Sequence, residues 1–322
     1  MSKAILRDHR TSRRTIIFEK LSLPKSTPWI WSIFGLLVLA LSGCIEVSQE
    51  SWVISKRGLF ETRAQSGECT TTCLDQPPPE RLNAIPAMRP AELDSAGFSL
   101  VSWNMFKGRK EGWAQDLQRF IRNSDILVLQ EAYLSDRLRR MLDRGKFNWD
   151  MTAAFEYRHI DAGVLTASRA APNFTCGLRQ IEPLTRIPKG VLVTRYPMSG
   201  TDRQLLVVNI HAINFTVGSA TFQQQSKRLE GILAAHQGPL ILSGDFNTWN
   251  ADRMAHVSVM AENLGLIAVK FDNNRRFEIF GQNVDHIYYR GLEIVTSATP
   301  VVSTSDHNPL TVVFKLADET DP

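Results

Sequence analysis

The chain has 322 residues, 43% hydrophobic and 22% charged, with 19 Gly and 15 Pro, which excludes collagen-like, low-complexity and largely disordered classes and allows one ample core. The formal charge of +4 is no nucleic-acid signature, because residues 1–28 hold seven Lys/Arg against two Asp/Glu and the remainder nets −1. The excess belongs to targeting.

Trp29–Gly43 is a run of fifteen residues without charge. It is shorter than the about 20 apolar residues of a spanning helix, so residues 1–44 read as a basic export leader. Its end, Leu41-Ser42-Gly43-Cys44, resembles the bacterial lipobox, in which the leader is removed before a cysteine that takes lipid. A signal anchor and ordinary cleavage are the alternatives. All three put the protein outside the cytoplasm, on the periplasmic or cell-envelope face, and the first two hold it to a membrane.

Residues 45–95 contain Pro77-Pro78-Pro79, Pro86 and Pro90 and five basic against eight acidic side chains, and they read as a tether. In an exported protein Cys69-Thr70-Thr71-Thr72-Cys73 is a disulfide candidate. Cys176 could instead pair with Cys69 or Cys73, and the connectivity stays open.

From about residue 96 short β-rich runs alternate with amphipathic stretches, the pattern of a layered α/β domain over 96–316. The predicted strands are Phe98–Trp103, Asp125–Gln130, Gly163–Ala167, Gly190–Thr194, Gln204–Ile210, Leu240–Ser243, Val284–Tyr289, Ile294–Ser297 and Leu310–Phe314. Helices are predicted at Gly112–Arg122, Ser135–Leu142, Ala220–His236 and Asp252–Leu264. Residues 317–322 form an acidic, solvated tail.

Polar residues of a narrow set stand at the predicted strand ends. Asn104, Glu131, His211 with Asn214, and Asp245 with Asn247 each follow an apolar strand, Asp285 opens one, and Asp306-His307 precedes the last. Singly, an Asn or Asp after a strand is a turn former. Together, carboxylates, carboxamides and two of seven histidines at strand termini describe a cleft.

Trp103-Asn104, Leu129-Gln130-Glu131, Gly244-Asp245-Phe246-Asn247, Val284-Asp285-His286-Ile287 and Ser305-Asp306-His307 occur in the order found in the endonuclease/exonuclease/phosphatase superfamily, and residues 97–316 resemble it. His211-Ala212-Ile213-Asn214-Phe215 and Asn247-Thr248-Trp249 are similar to an exported bacterial branch. The resemblance implies a deoxyribonuclease-I-like four-layer α/β sandwich, with two packed mixed sheets flanked by helices, and phosphoester hydrolysis with a divalent metal.

A phosphodiester repels hydroxide, so its cleavage needs charge neutralisation, a positioned water and a proton for the leaving oxygen. Hard oxygen donors suit Mg²⁺ or Mn²⁺, with Glu131 as first ligand, Asn104 beside it and Asp306 a second carboxylate. No Cys or clustered His offers a zinc set. By resemblance Asp285 orients His307, which serves as general base or phosphate clamp. Asp245 and Asn247 match the positions that hold the attacking water and a phosphoryl oxygen, Asp245 being a rival base, and Asn214 is a candidate phosphate ligand. His211 is the natural general acid.

His286 stands where much of the family has an aromatic, and reads as a strand histidine facing a neighbour. Trp249 is a base-stacking platform or a cap on the entrance. Residues 96–316 hold 25 basic against 20 acidic side chains, which suits a polyanion or an anionic membrane. No aromatic hairpin for bilayer insertion is present, which favours a nuclease over a lipid or inositol-phosphate phosphodiesterase. A non-catalytic binding protein on the same scaffold is the third reading, and the completeness of the residue set argues against it. No protein partner is predicted.

Overall fold

Aliphatic strands that can bury both faces need helices to cover them. The computed structural model, which describes residues 45–66, 69 and 91–318, has that arrangement. In chain order the first elements are β1 (Ile45–Glu46), β2 (Trp52–Arg57), β3 (Phe60–Gln65), β4 (Phe98–Asn104), α1 (Trp113–Asn123), β5 (Ile126–Tyr133), α2 (Asp136–Arg144), β6 (Asn148–Tyr157) and β7 (Ile160–Ser168). There follow β8 (Phe174–Ile181), β9 (Pro188–Pro197), β10 (Gln204–His211), α3 (Ala220–Leu233), β11 (Leu240–Asp245), α4 (Ala251–Asn263) and β12 (Ile267–Ala268). Last come β13 (Glu278–Ile279), β14 (Gln282–Asn283), β15 (Asp285–Arg290), β16 (Leu292–Ala298) and β17 (Leu310–Leu316).

One mixed sheet runs β16-β17-β4-β5-β7-β6-β2-β3, with β1 paired to β6; the other runs β12-β15-β11-β10-β9-β8. Their parallel pairs are β4 with β5 and β10 with β11, joined through α1 and α3. The central core lies between the sheets and contains Leu100, Val128, Leu205, Val207, Ile241, Ile287, Val312 and Phe314. Leu117, Phe120, Leu138 and Leu142 seat α1 and α2 on the large sheet, and Phe222, Leu229, Val257 and Met260 seat α3 and α4 on the small one. The result is the four-layer α/β sandwich. Buried Gln130 donates to Asn209 Oδ1 at 2.9 Å and Asn209 donates to the Leu129 carbonyl at 3.1 Å, so polar groups between the sheets satisfy each other.

The tether reading needs correction over residues 45–66. They form β1, β2 and β3, with Val53 and Ile54 of β2 buried. Every residue of β3 is exposed, so this edge strand carries no apolar alternation to betray it. Cys69 is disulfide-bonded to Cys176 of β8 across 107 residues, which selects one of the open connectivities and excludes Cys69–Cys73. The leader with Cys44, the partner candidate Cys73 and the tail beyond Asp318 lie outside the described residues. Among the described residues no helix is long and apolar enough to cross a membrane.

Candidate active site

Asn104 ends β4, His211 ends β10 and Asp245 ends β11, so strand geometry alone brings them to one edge of the sandwich. The register pairs His211 with Asp245 and Asp245 with Asp285. Gly244 makes that register possible. A Cβ there would lie 2.0 Å from the Ile210 carbonyl oxygen, and its φ of +147° is one that L side chains rarely adopt. Glu131 sits in β5 where the pairing with β7 shifts between Leu129 and Ala132, and it holds a φ of 49°. Phe106, Lys107 and Asn247 also have positive φ, each costing of order 1 kcal/mol, and such strain gathers where a site dictates the backbone.

The side chains form a connected network. Asn104 Nδ2 donates to Asp245 Oδ2 at 3.0 Å, and the Asn247 amide donates to Asp245 Oδ1 at 3.0 Å. Asn247 Nδ2 donates to the Ala212 carbonyl, fixing the turn after His211. His307 Nδ1 bonds Asp285 Oδ2 at 2.7 Å, and Trp103 Nε1 donates to the His307 carbonyl at 3.0 Å. Asp306 is exposed beside this pair and accepts from the Ser305 hydroxyl at 3.2 Å. Asn214 makes none of these bonds, and its Oδ1 accepts from Trp249 Nε1 at 2.9 Å. His286 bonds Thr248 at 2.7 Å, a strand histidine facing its neighbour.

The charges follow from burial and these contacts. Burial opposes a charge on His307, but Asp285, with Asp245 and Asp306, pushes it up to about 10, so the ring is an imidazolium at neutral pH. His211 is the opposite case. Burial and the Lys189 ammonium, 2.9 Å from Nε2, hold it well below its usual value, so the ring is neutral and its 3.5 Å approach to Asp245 is no ion pair. Burial pushes Asp245 up, against the pull of His307, and Asp285 adds to the rise. Burial also pushes Glu131 up, yet Lys107 and Lys189 outweigh it and keep the carboxylate ionised. Lys107 Nζ donates to Glu131 Oε2.

Two donor sets could hold a cation. The ligand atoms of Asp245, Asp285 and His307 lie within 4.8 Å of one another, but there His307 itself supplies the positive charge. Glu131, the Asn104 Oδ1 that also accepts from the Phe106 amide at 3.1 Å, and exposed Asp306 are hard oxygen donors of the kind Mg²⁺ or Mn²⁺ takes, and Glu131 already faces an ammonium.

A model of the Endonuclease/Exonuclease/phosphatase family matches residues 101–307, a span that contains all of these residues. The chain belongs to that family. It is 39% identical over 249 residues to a UPF0294 protein of Vibrio vulnificus, covering 76% of this chain and 87% of that one. It is 38% identical to a UPF0294 protein of Yersinia pestis over 67% and 83% of the two chains. Among solved structures, the human Nocturnin catalytic domain with bound sulfate superposes with a TM-score of 0.54 at 16% identity, over 71% of this chain and 97% of that one. ANGEL2, a 2',3'-cyclic phosphatase, gives 0.53 at 13%, over 71% and 98%. At such identities the likeness shows the fold alone.

Within this family fold, sequence reasoning missed four residues. Lys107 and Lys189 bring positive charge to Glu131 and His211. Buried Arg253 donates to the carbonyls of Ile213, Asn214 and Asn247, and buried Glu182 accepts from the Asn214 amide at 2.5 Å, so the two hold the loop after β10 from both sides. Only Lys107 had a signal, its place three residues after Asn104.

Proposed function

We propose that the protein is a metal-dependent phosphoester hydrolase, and a nuclease ahead of a lipid or inositol-phosphate phosphodiesterase. The observation that carries this reading is the buried His307–Asp285 pair, 2.7 Å apart, standing with Asn104, Asp245 and Glu131 at one edge of the family fold. Mg²⁺ or Mn²⁺ held by Glu131 and Asn104, with Asp306 at the rim, would neutralise phosphate charge and polarise the phosphoryl oxygen. His307 gives Nδ1 to Asp285, which leaves Nε2 to clamp a phosphate oxygen as a charged donor. Asp245, raised by burial and fixed by Asn104 and the Asn247 amide, is suited to take a proton from an attacking water. His211 is neutral at rest, so the proton for the leaving oxygen is drawn from the Lys189–His211 couple, with Lys189 its ammonium reservoir.

We also place the enzyme outside the cytoplasm, a reading that the Cys69–Cys176 disulfide supports. Ile45 already pairs with Tyr157, so lipid on Cys44 would hold the sandwich directly against a bilayer, with no intervening tether.

The test is a panel of supercoiled plasmid, an RNA oligonucleotide and bis(4-nitrophenyl) phosphate, each with Mg²⁺, Mn²⁺ or chelator and with Glu131→Gln as control. Metal-dependent cleavage lost in the variant is expected. No cleavage of any of the three with either metal overturns the reading.

A further inference from the structure

Outside the cleft, α1 and α2 flank a groove of about 610 Å³ on the outer face of the large sheet. Its floor is apolar, with Ala114, Ile121 and Met141. Its walls carry Arg122, Arg137, Arg140, Arg144, Lys146 and Arg169, and no carboxylate lines it. Of the nearby acids, Asp116 is held by Arg119 and Thr304 and Asp143 by Lys56, while Asp136 at the start of α2 is exposed and is not part of the groove's lining. Arg169 is fixed by donating to the carbonyls of Ile121 at 2.7 Å and Gly145 at 3.0 Å, and Asp125 approaches it only to 4.0 Å. Among the described residues, Arg122, Arg140, Arg144 and Lys146 have no anionic partner. So much unpaired like charge around one concavity costs stability and is tolerated where an anion completes it.

The helices that flank the groove are tied to the loop that carries His307. Both helices start at the cleft edge, α1 nine residues after Asn104 and α2 three after Tyr133. Thr304, three residues before His307, donates to Asp116 in the first turn of α1 at 2.7 Å, and Lys110 donates to the Ser305 carbonyl at 2.8 Å. Arg137 lies over the Trp113 ring at 5.3 Å, joining the two helix starts. From Arg137 to Arg144 is about 10 Å of helix rise, the axial length of about three stacked nucleotides.

We propose that this groove is a phosphate-binding exosite that guides a single nucleic-acid strand from the α1–α2 face into the cleft. A strand is favoured over a bilayer because the surface is concave and its apolar groups form the floor, while the large exposed apolar side chains, among them Phe60, Phe215 and Phe280, lie elsewhere. The proposal rests on the phosphoester-hydrolase reading and narrows its substrate to a polyanionic chain longer than the cleft itself.

The triple variant Arg140→Gln/Arg144→Gln/Lys146→Gln tests it in the full chain, since all three side chains are exposed and the fold should be kept, which circular dichroism checks. Binding of a fluorescent 20-nucleotide single strand is measured in chelator across a salt series, beside hydrolysis of bis(4-nitrophenyl) phosphate with Mn²⁺. Losing three phosphate contacts should weaken strand binding about a hundredfold at 0.1 M salt and lower the log–log salt slope by about 2. Hydrolysis of the small ester should stay as in the unaltered chain. Strand binding and slope unchanged in the variant overturn the exosite even if the small ester is cleaved. Groove-dependent binding of phosphatidylglycerol vesicles without strand binding overturns it in favour of a membrane-facing surface. Failure of the unaltered chain to cleave the small ester counts instead against the hydrolase reading, and strand affinity is scored separately.

Discussion

Replacing Asp285 with Asn keeps the shape of the pair and an acceptor for His307 Nδ1 but removes the charge that makes the ring cationic. The rise from 6.5 to about 10 is worth about 5 kcal/mol of preference for the imidazolium at 1.36 kcal/mol per pH unit. Burial works against it, and Asp285 at 2.7 Å is the largest favourable source, ahead of Asp245 and Asp306. In Asp285→Asn the His307 midpoint should therefore fall by about 2 pH units or more. Proton NMR titration of the imidazole Cε1–H, assigned with His307→Gln, measures it directly. The folded value lies above the unfolded one, so the contribution of the pair to stability is complete below pH 6.5 and is lost as the pH rises through about 10. The variant should thus be less stable by about 3 kcal/mol at pH 7, with the difference closing above pH 10. If His307 clamps phosphate as an imidazolium, the rate of the unaltered chain falls only near pH 10 and that of the variant already from about pH 8. A midpoint that stays within half a pH unit of the unaltered chain refutes the account of His307.

Glu131→Gln should abolish turnover and leave the circular dichroism spectrum and melting temperature near those of the parent; full activity of that variant in excess chelator would remove the metal from the scheme. Lys107→Met deletes the ammonium that competes for Glu131, so calorimetry should find Mg²⁺ bound about tenfold more tightly, a gain of about 1.4 kcal/mol, and weaker binding would make Lys107 a supporting residue instead. Cys176→Ser opens a loop spanning 107 residues, for which chain entropy gives at most about 5 kcal/mol and measured disulfides about 2–4. Urea denaturation should show that loss, and reductant should lower the stability of the unaltered chain but not that of the variant.

The sandwich was legible because its central strands are buried on both faces. Leu206–Ile210, Leu240–Leu242 and Ile126–Leu129 are nearly continuous aliphatic runs, a pattern that water-facing segments cannot sustain. The strands that went unread do not advertise burial. β6 buries Asp150 and Thr152, the former satisfied by Arg57 at 2.8 Å and Ser55 at 2.5 Å, so its sequence looks polar while its environment is not. β8 contains Cys176-Gly177, and β3 lies on an open edge. Only β6 also pairs with a strand distant in sequence, β2; β3 and β8 pair with their hairpin neighbours β2 and β9 alone, and it is the missing apolar alternation that hides them.

The candidate site residues divide along the same physical line. Asn104, His211, Asp245 and Asp285 were legible because a strand end fixes direction as well as position, so residue type at that place already states a role. Lys107 and Lys189 carry no such mark, since a lysine beside a strand is ordinarily solvated and only the folded site shows its ammonium turned inward. Their effect on mechanism is nonetheless large. Burial is the larger cause of the depressed His211 value and Lys189 adds to it, so the general acid inferred from sequence is not preformed at its 3.5 Å approach to Asp245. With Lys189 present the ring is held neutral and the proton sits one hydrogen bond away. In the proposed mechanism acid catalysis is a property of the pair, and Lys189→Met should raise the His211 midpoint while lowering the rate for esters with poor leaving groups more than for nitrophenyl esters, whose leaving oxygen needs no proton. Equal loss on both classes of ester would move Lys189 from proton delivery to phosphate binding.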